Sequence, residues 1–182
     1  MMGKRYVQCQ PYQLKIETMQ DLLDQIEKGL EAKLYHLSLF AALAVPDICG
    51  AIETVDGEAS QAKYIKWFDE HLQSKYNTSF NGELCYYFRC SLLHQGSSQH
   101  PKSNYKRIMF IEPNSMLSVH LSSLNGAYFI DIKDFCNDMI EACKKWLQKV
   151  EINPLFKINL DRLMRRYPQG LKPYISGVPV IG

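Results

Sequence analysis

From Asp131 to Val150 the apolar residues Ile132, Phe135, Cys136, Met139, Ile140, Cys143, Leu147 and Val150 recur every three or four positions. That period places them on one side of a helix with polar residues on the other, so the segment must lay its apolar stripe against further secondary structure. Asp131 and Asp134 stand at its start and lysines gather toward its end, which suits the helix dipole. A second stripe, Met19, Leu22, Leu23, Ile26, Leu30, Leu34, Leu37, Ala41 and Ala44, predicts one long helix opened at Thr18, with Asp21 three residues on as in a capping box. Two such helices demand a helical bundle. With 182 residues the chain supports one well-buried core and is read as a single domain over 1–182.

The remaining helices are marked by their ends. Pro46 starts a short segment through about Glu53, and Gly57 lies in the loop that follows. Ser60 caps a helix carrying Ile65, Phe68, Leu72 and Tyr76, and Asn81 caps another whose apolar face is Leu84, Tyr87, Phe88, Ser91 and Leu92, stopped by Gly96. Helices thus fill 18–96. The period then changes to two: Tyr105 to Ile111 is β-rich, Leu117, Val119 and Leu121 alternate with Ser118, His120 and Ser122, and Asn125-Gly126 precedes Ala127 to Ile130. An Asn-Gly pair between such runs predicts a hairpin, and the region 105–130 is expected to be a small antiparallel β-meander. The long helix of 131–151, closed by Pro154, a short helix from Asp161 to Arg166 and an irregular C-terminal arm complete 152–182. Tyr174, Ile175, Val178, Val180 and Ile181 are too apolar to favour solvent, so the arm is expected to pack on the bundle or a second subunit. The fold class is mainly α, a four- or five-helix bundle with the meander inserted.

A net charge of +2 gives no strong field, so a nucleic acid would have to be held by a local patch. Lys102, Lys106 and Arg107 form one candidate, Lys144, Lys145 and Lys149 a second, and Arg162, Arg165 and Arg166 a third; each is also readable as a solvated face. The six cysteines, 9, 49, 85, 90, 136 and 143, contain no CxxC pair and suggest reduced thiols. Neither a run of ~20 apolar residues nor a signal-peptide core in Met1 to Gln10 is evident, and a soluble cytoplasmic protein is expected.

One stretch suggests chemistry. In Phe88-Arg89-Cys90-Ser91-Leu92-Leu93-His94-Gln95-Gly96, an arginine and a histidine are separated by four residues near a helix end. Guanidinium binds phosphate oxygens through parallel hydrogen bonds and imidazole exchanges protons near neutral pH, which together suit metal-free transfer of an RNA phosphodiester to the ribose 2′-OH. Residues five apart in sequence sit about 140° apart around a regular helix, so Arg89 and His94 are expected on different faces unless the helix loosens or two chains share a cleft. The helix C-terminus would favour protonated His94.

Arg89-x4-His94, following an aromatic-rich helix turn and closed by Gln95-Gly96, resembles the R-x4-6-H signature of the HEPN superfamily. The resemblance implies a compact helical bundle that dimerises, and a metal-independent endoribonuclease of a defence or toxin-antitoxin type. It implies that Arg89 contacts the scissile phosphate and that His94 handles the proton or holds the phosphate. Beside these two, Gln95, Lys102, Lys106 and Arg107 are the candidate binding residues of this chain. No cofactor or metal is called for; the partners implied are RNA, a second copy of the chain and an antitoxin-like protein. The residue after the arginine is often Asn or Asp in the family's nucleases and is Cys90 here.

Other readings stand beside this one. A non-catalytic module of the same fold would bind RNA, a nucleotide or a protein, and a purely structural bundle would satisfy Arg89 and His94 with carboxylates such as Glu83, Asp69 or Glu70. Cys90 and His94, four apart, could join Cys85, His100 or His120 around a metal, or act as nucleophile and base, although no second ligand pair or oxyanion-hole signature accompanies them. His36 and His71 read as core-edge histidines and His120 as strand-exposed.

Overall fold

A computed structural model describes residues 11–182 except 77, 117, 118 and 151, with side chains described from residue 18. The N-terminal arm with Cys9, and Leu117 and Ser118 of the expected second strand, lie outside the described residues. The chain is mainly helical with a small sheet. In order it forms α1 (Pro11–Glu31), α2 (Tyr35–Ile52), α3 (Gln61–Leu72), α4 (Gly82–Gln95), β1 (Arg107–Ile111), β2 (Ser122–Leu124), β3 (Ala127–Asp131), α5 (Ile132–Val150), α6 (Pro154–Asn159), β4 (Arg166–Tyr167) and β5 (Val180–Ile181).

The expected single long helix is two. α1 begins well before Thr18 and ends in a Schellman turn, in which Lys33 takes φ 59°, Leu34 N–H donates to the Gly29 carbonyl and Lys33 N–H to that of Leu30. The chain then folds back, and Gly29 makes close crossing possible because a Cβ there would strike Ser38 Oγ. Ser38 Oγ donates to the Ile26 carbonyl at 3.1 Å, fastening α2 to α1. Met19, Leu23 and Ile26 are buried with Leu39, Ala42, Leu43, Val45 and Cys49, whereas Leu34 and Leu37, counted in the stripe, sit exposed at the turn. Pro46 does not start a helix but lies buried inside α2.

α2 is the hub of the bundle, touching α1, α3, α4, α5 and α6. Dividing it at Pro46 hid its length: with a mean hydropathy of 1.5 over 18 residues it is long and apolar enough to cross a membrane, and half of that window is buried inside the protein. α5 crosses α1, α2 and α3 and buries all eight of its predicted apolar positions. Burying each such side chain contributes roughly 1.5–3 kcal/mol, so this helix is a main source of the bundle's stability. Its first turn is capped by Asp131, whose carboxylate accepts from the N–H groups of Lys133 and Asp134.

The sheet corrects the antiparallel meander. Its order is β1-β3-β2, with β1 parallel to β3 from Arg107 opposite Ala127 to Ile111 opposite Asp131. Only β2 and β3 form the predicted hairpin, around Asn125 and Gly126, both at positive φ. Of the alternating run 117–122, residues 119–121 lie outside a strand and Ser122 begins β2, so the chain after β1 has room to return and place β3 alongside β1 in parallel. Aromatic rings tie sheet to bundle: Phe80 stacks on Tyr128 at 5.7 Å, and Phe110 meets both Phe88 and Phe135 at 5.3 Å.

At the C-terminal end the short helix also shifts. α6 starts at Pro154, capped by Asn153, and a 3-10 turn (Leu160–Arg162) follows, leaving Arg166 in a strand rather than a helix. Asn159 Nδ2 donates to the carbonyls of Ile52 and Thr54, tying this segment to the end of α2. The arm beyond is an antiparallel β4-β5 pair, and Tyr174, Ile175, Val178 and Ile181 are exposed instead of packed on the bundle.

Candidate functional site

α4 presents the Arg89 to His94 segment, and its ends are fixed as the sequence predicts. Asn81 Oδ1 accepts from Leu84 N–H at 3.0 Å, Gly82 N–H donates to Asp69 of α3 at 2.8 Å, and Gly96 closes the helix at φ 63°. The buried positions are Gly82, Cys85, Phe88 and Ser91, with Leu84 and Leu92 packed at the core's edge, so the predicted face holds except that it is rotated from Tyr87 toward Cys85. This rotation leaves Arg89 half-buried against α2 and His94 exposed in the last turn.

Arg89 and His94 do meet. Arg89 Nη1 lies 3.3 Å from His94 Nε2, against the expectation of different faces. The reason is the long aliphatic stem of arginine, which carries the guanidinium across the helix surface even where the two Cα positions diverge. Arginine has donors only, so Nη1 donates and Nε2 accepts; the ring's own N–H then sits at Nδ1.

On its other side the guanidinium is anchored by Asp47, whose carboxylate lies 2.6 Å from Nη2. The side chains are only 20% and 11% exposed, so the pair is shielded from bulk water. Burial raises the Asp47 pKa more than the nearby charges of Arg89 and His94 lower it. Burial also works against the charge on Arg89, yet Asp47 and the Cys90 thiol outweigh it, so its pKa rises. Arg89 Nη1 reaches Cys90 Sγ at 3.9 Å; among the described residues Arg89 Nε and Ser91 Oγ are buried with no hydrogen-bond partner, and Asp47 Oδ2 meets the guanidinium as an ion pair rather than through a well-aligned hydrogen bond. The expected carboxylate partners are engaged elsewhere: Asp69 with Gly82, Glu83 with the Tyr87 hydroxyl at 2.8 Å, and Glu70 with Lys66.

Asp47 is the group that sequence reasoning missed. Its one signal is being the sole charged residue of α2, an otherwise apolar helix. A carboxylate in such a setting needs a cation, but nothing in the linear order names Arg89.

The predicted binding residues are spread beyond this cluster. Gln95, next to His94, lines a cleft of about 650 Å³ between the end of α4 and β1, together with Lys106. Lys102 Nζ lies 5.5 Å from the centre of the Tyr87 ring, and Arg107 Nη1 donates to Ser98 Oγ at 3.5 Å. Tyr87 and His100 stack face to face at 4.6 Å, another arrangement invisible in the sequence.

Cys85 is buried and its pKa is pushed up to about 12 by burial, while Cys90 is half-buried. Among the described residues no three His, Cys, Asp or Glu side chains stand together as metal ligands. His36 is exposed, His71 leans on Trp67 at 5.0 Å, and His120 Nδ1 accepts from the Asp131 N–H instead of facing open solvent. Compared with known proteins, the chain matches no family model, no curated protein and no solved structure.

Proposed function

We propose that this chain is a HEPN-like protein that cleaves single-stranded RNA without a metal, working as a homodimer in the cytoplasm, with an antitoxin-like protein as a further partner. The contact of 3.3 Å between Arg89 and His94 carries the reading, because it sets a fixed cation against an exposed group that exchanges protons. In the reaction the ribose 2′-OH attacks phosphorus and loses its proton, while the 5′-oxygen leaves and gains one. His94 serves this proton traffic, and Arg89 favours the charge that builds on the phosphoryl oxygens. Since Asp47 already occupies one edge of the guanidinium, Arg89 acts through its charge and its hold on His94 more than as a free fork for phosphate.

The expected products are fragments ending in 2′,3′-cyclic phosphate and 5′-hydroxyl, formed in the presence of a chelator. Purified protein and its His94→Ala variant would be incubated with labelled single-stranded RNA. Equal cleavage by the two would remove His94 from the mechanism, and with it the proposal. A second reading, a non-catalytic bundle in which Arg89 serves only to join α2 and α4, is favoured by the shielded Asp47–Arg89 pair. It requires that Arg89→Ala lower stability while wild-type protein leaves RNA intact.

A further inference from the structure

The cleft of about 650 Å³ beside the end of α4 has a polar lining rich in carboxamides. Three carboxamides, Gln95, Gln99 and Asn104, face it with His100, Tyr105 and Lys106, and none of its lining residues is a carboxylate. Carboxamides present a donor and an acceptor side by side, the pattern that matches the edge of a nucleobase. The size falls within the roughly 300–1,000 Å³ of small-molecule sites.

His100 is held as a platform. One face of its ring lies flat on Tyr87, with 4.6 Å between centroids and 2° between planes. Its Nδ1 accepts the backbone N–H of Lys102 at 3.1 Å, which fixes the ring's rotation and leaves Nε2 as a donor. Among the described residues the other face has no aromatic neighbour. A base stacked there would extend an existing pile of two rings, and such stacking is tolerant of base identity. Lys106 supplies a cation for a phosphate, and its main chain is pinned by N–H donation to the Gly126 carbonyl at 2.7 Å.

A second recess of about 240 Å³ shares Asn104 and Tyr105 and includes Tyr87 and Lys102. The two recesses therefore flank the same loop. The second recess also carries Glu83, so a phosphate is better placed in the first, which begins one residue from His94.

We infer that the cleft over Gln95 to Lys106 is a nucleotide-binding subsite that takes one base of single-stranded RNA on His100 and its phosphate beside Lys106. The subsite rests on the proposed action on RNA and adds where the strand lies. It explains why a protein with so small a net charge need not depend on a broad basic face.

The test separates binding from cleavage by using a short, fluorescein-labelled, 2′-O-methylated single-stranded RNA of mixed sequence, which lacks the attacking hydroxyl. Fluorescence anisotropy is read for wild type, His100→Ala, His100→Phe and Lys106→Ala, each checked by circular dichroism for retained helix. His100→Ala is expected to weaken binding about tenfold or more and His100→Phe to restore most of it. Lys106→Ala should weaken binding and flatten its salt dependence. Wild-type affinity in His100→Ala overturns the subsite even if unmodified RNA is cleaved, and so does a wild-type protein that does not bind this RNA. Binding that depends on His100 with no cleavage of unmodified RNA leaves the subsite standing and removes the nuclease reading.

Discussion

Asp47 of α2 and Arg89 of α4 form an ion pair 2.6 Å long beneath the surface, and the same guanidinium touches exposed His94. The side chain that bears on candidate chemistry is thus also one that joins two helices of the core. A shielded charge pair adds little net stability over an apolar contact, but breaking it leaves a charge with no compensation.

Asp47→Ala should therefore cost about 1–3 kcal/mol at neutral pH. In an Arg89→Met background the same substitution should cost much less, because no cation is then stranded. Denaturant midpoints of the four proteins of this cycle measure the difference. The pH dependence has a definite sign. Burial raises the folded pKa of Asp47 above the usual 3.8, so this group's contribution is present below that value and declines as pH rises through the folded pKa. Asp47→Asn should abolish that part of the decline.

How far these relationships are legible in the sequence depends on their range. α5 could be read position by position, since an amphipathic helix without internal Gly or Pro has one way to turn its stripe inward. Ser60, Asn81 and Gly96 were readable for a similar reason, each acting on backbone groups within a few residues. The break at Lys33 was not, because both helices face one core and the apolar period runs on through a non-glycine residue in a left-handed conformation. Alternation located the strands but not their direction, which depends on how the chain returns from β1 to β3. The site shows the same limit: Arg89 and His94 lie together in the sequence, whereas Asp47 and the Tyr87–His100 stack are products of the tertiary fold.

Gly82 starts α4 where it crosses α3. A Cβ at this position would come within 2.7 Å of the Ile65 carbonyl oxygen and 2.9 Å of Asp69 Oδ1, and backbone cannot yield as a flexible side chain can. Gly82→Ala should destabilise the protein by about 1–3 kcal/mol through overpacking, despite alanine's better helix propensity. A thermal midpoint at or above that of wild type would contradict the close crossing.

Lys75, after α3, bridges Asp138 at 2.5 Å and Glu141 at 2.9 Å on α5. The hydrogen bond and charge of Lys75 lower the Glu141 pKa from 4.5. A lowered carboxylate contributes stability above its unfolded value and loses it as pH falls through the folded one. Glu141→Gln should be less stable than wild type near neutral pH, and the two should converge as pH falls below 4.5 and through the folded pKa of Glu141. A gap that stays constant between pH 7 and pH 3, measured by urea unfolding, would assign the effect to something other than this charge.

Arg89→Lys separates the two duties of the arginine. Lysine keeps the positive charge and can reach one partner, but a single ammonium lacks the planar fork that lets Nη2 face Asp47 while Nη1 faces His94. With the charge retained near Asp47, the denaturant midpoint should fall by less than in Arg89→Ala, which strands the carboxylate. His94 would lose its donor, and if RNA cleavage depends on that contact the rate should fall about 100-fold or more, in the range usual for loss of a positioned acid–base group. Substrate affinity for the 2′-O-methylated RNA should change little, because Arg89 does not line the cleft beside α4. A variant that cleaves at the wild-type rate would show that the Arg89–His94 contact serves α4 alone.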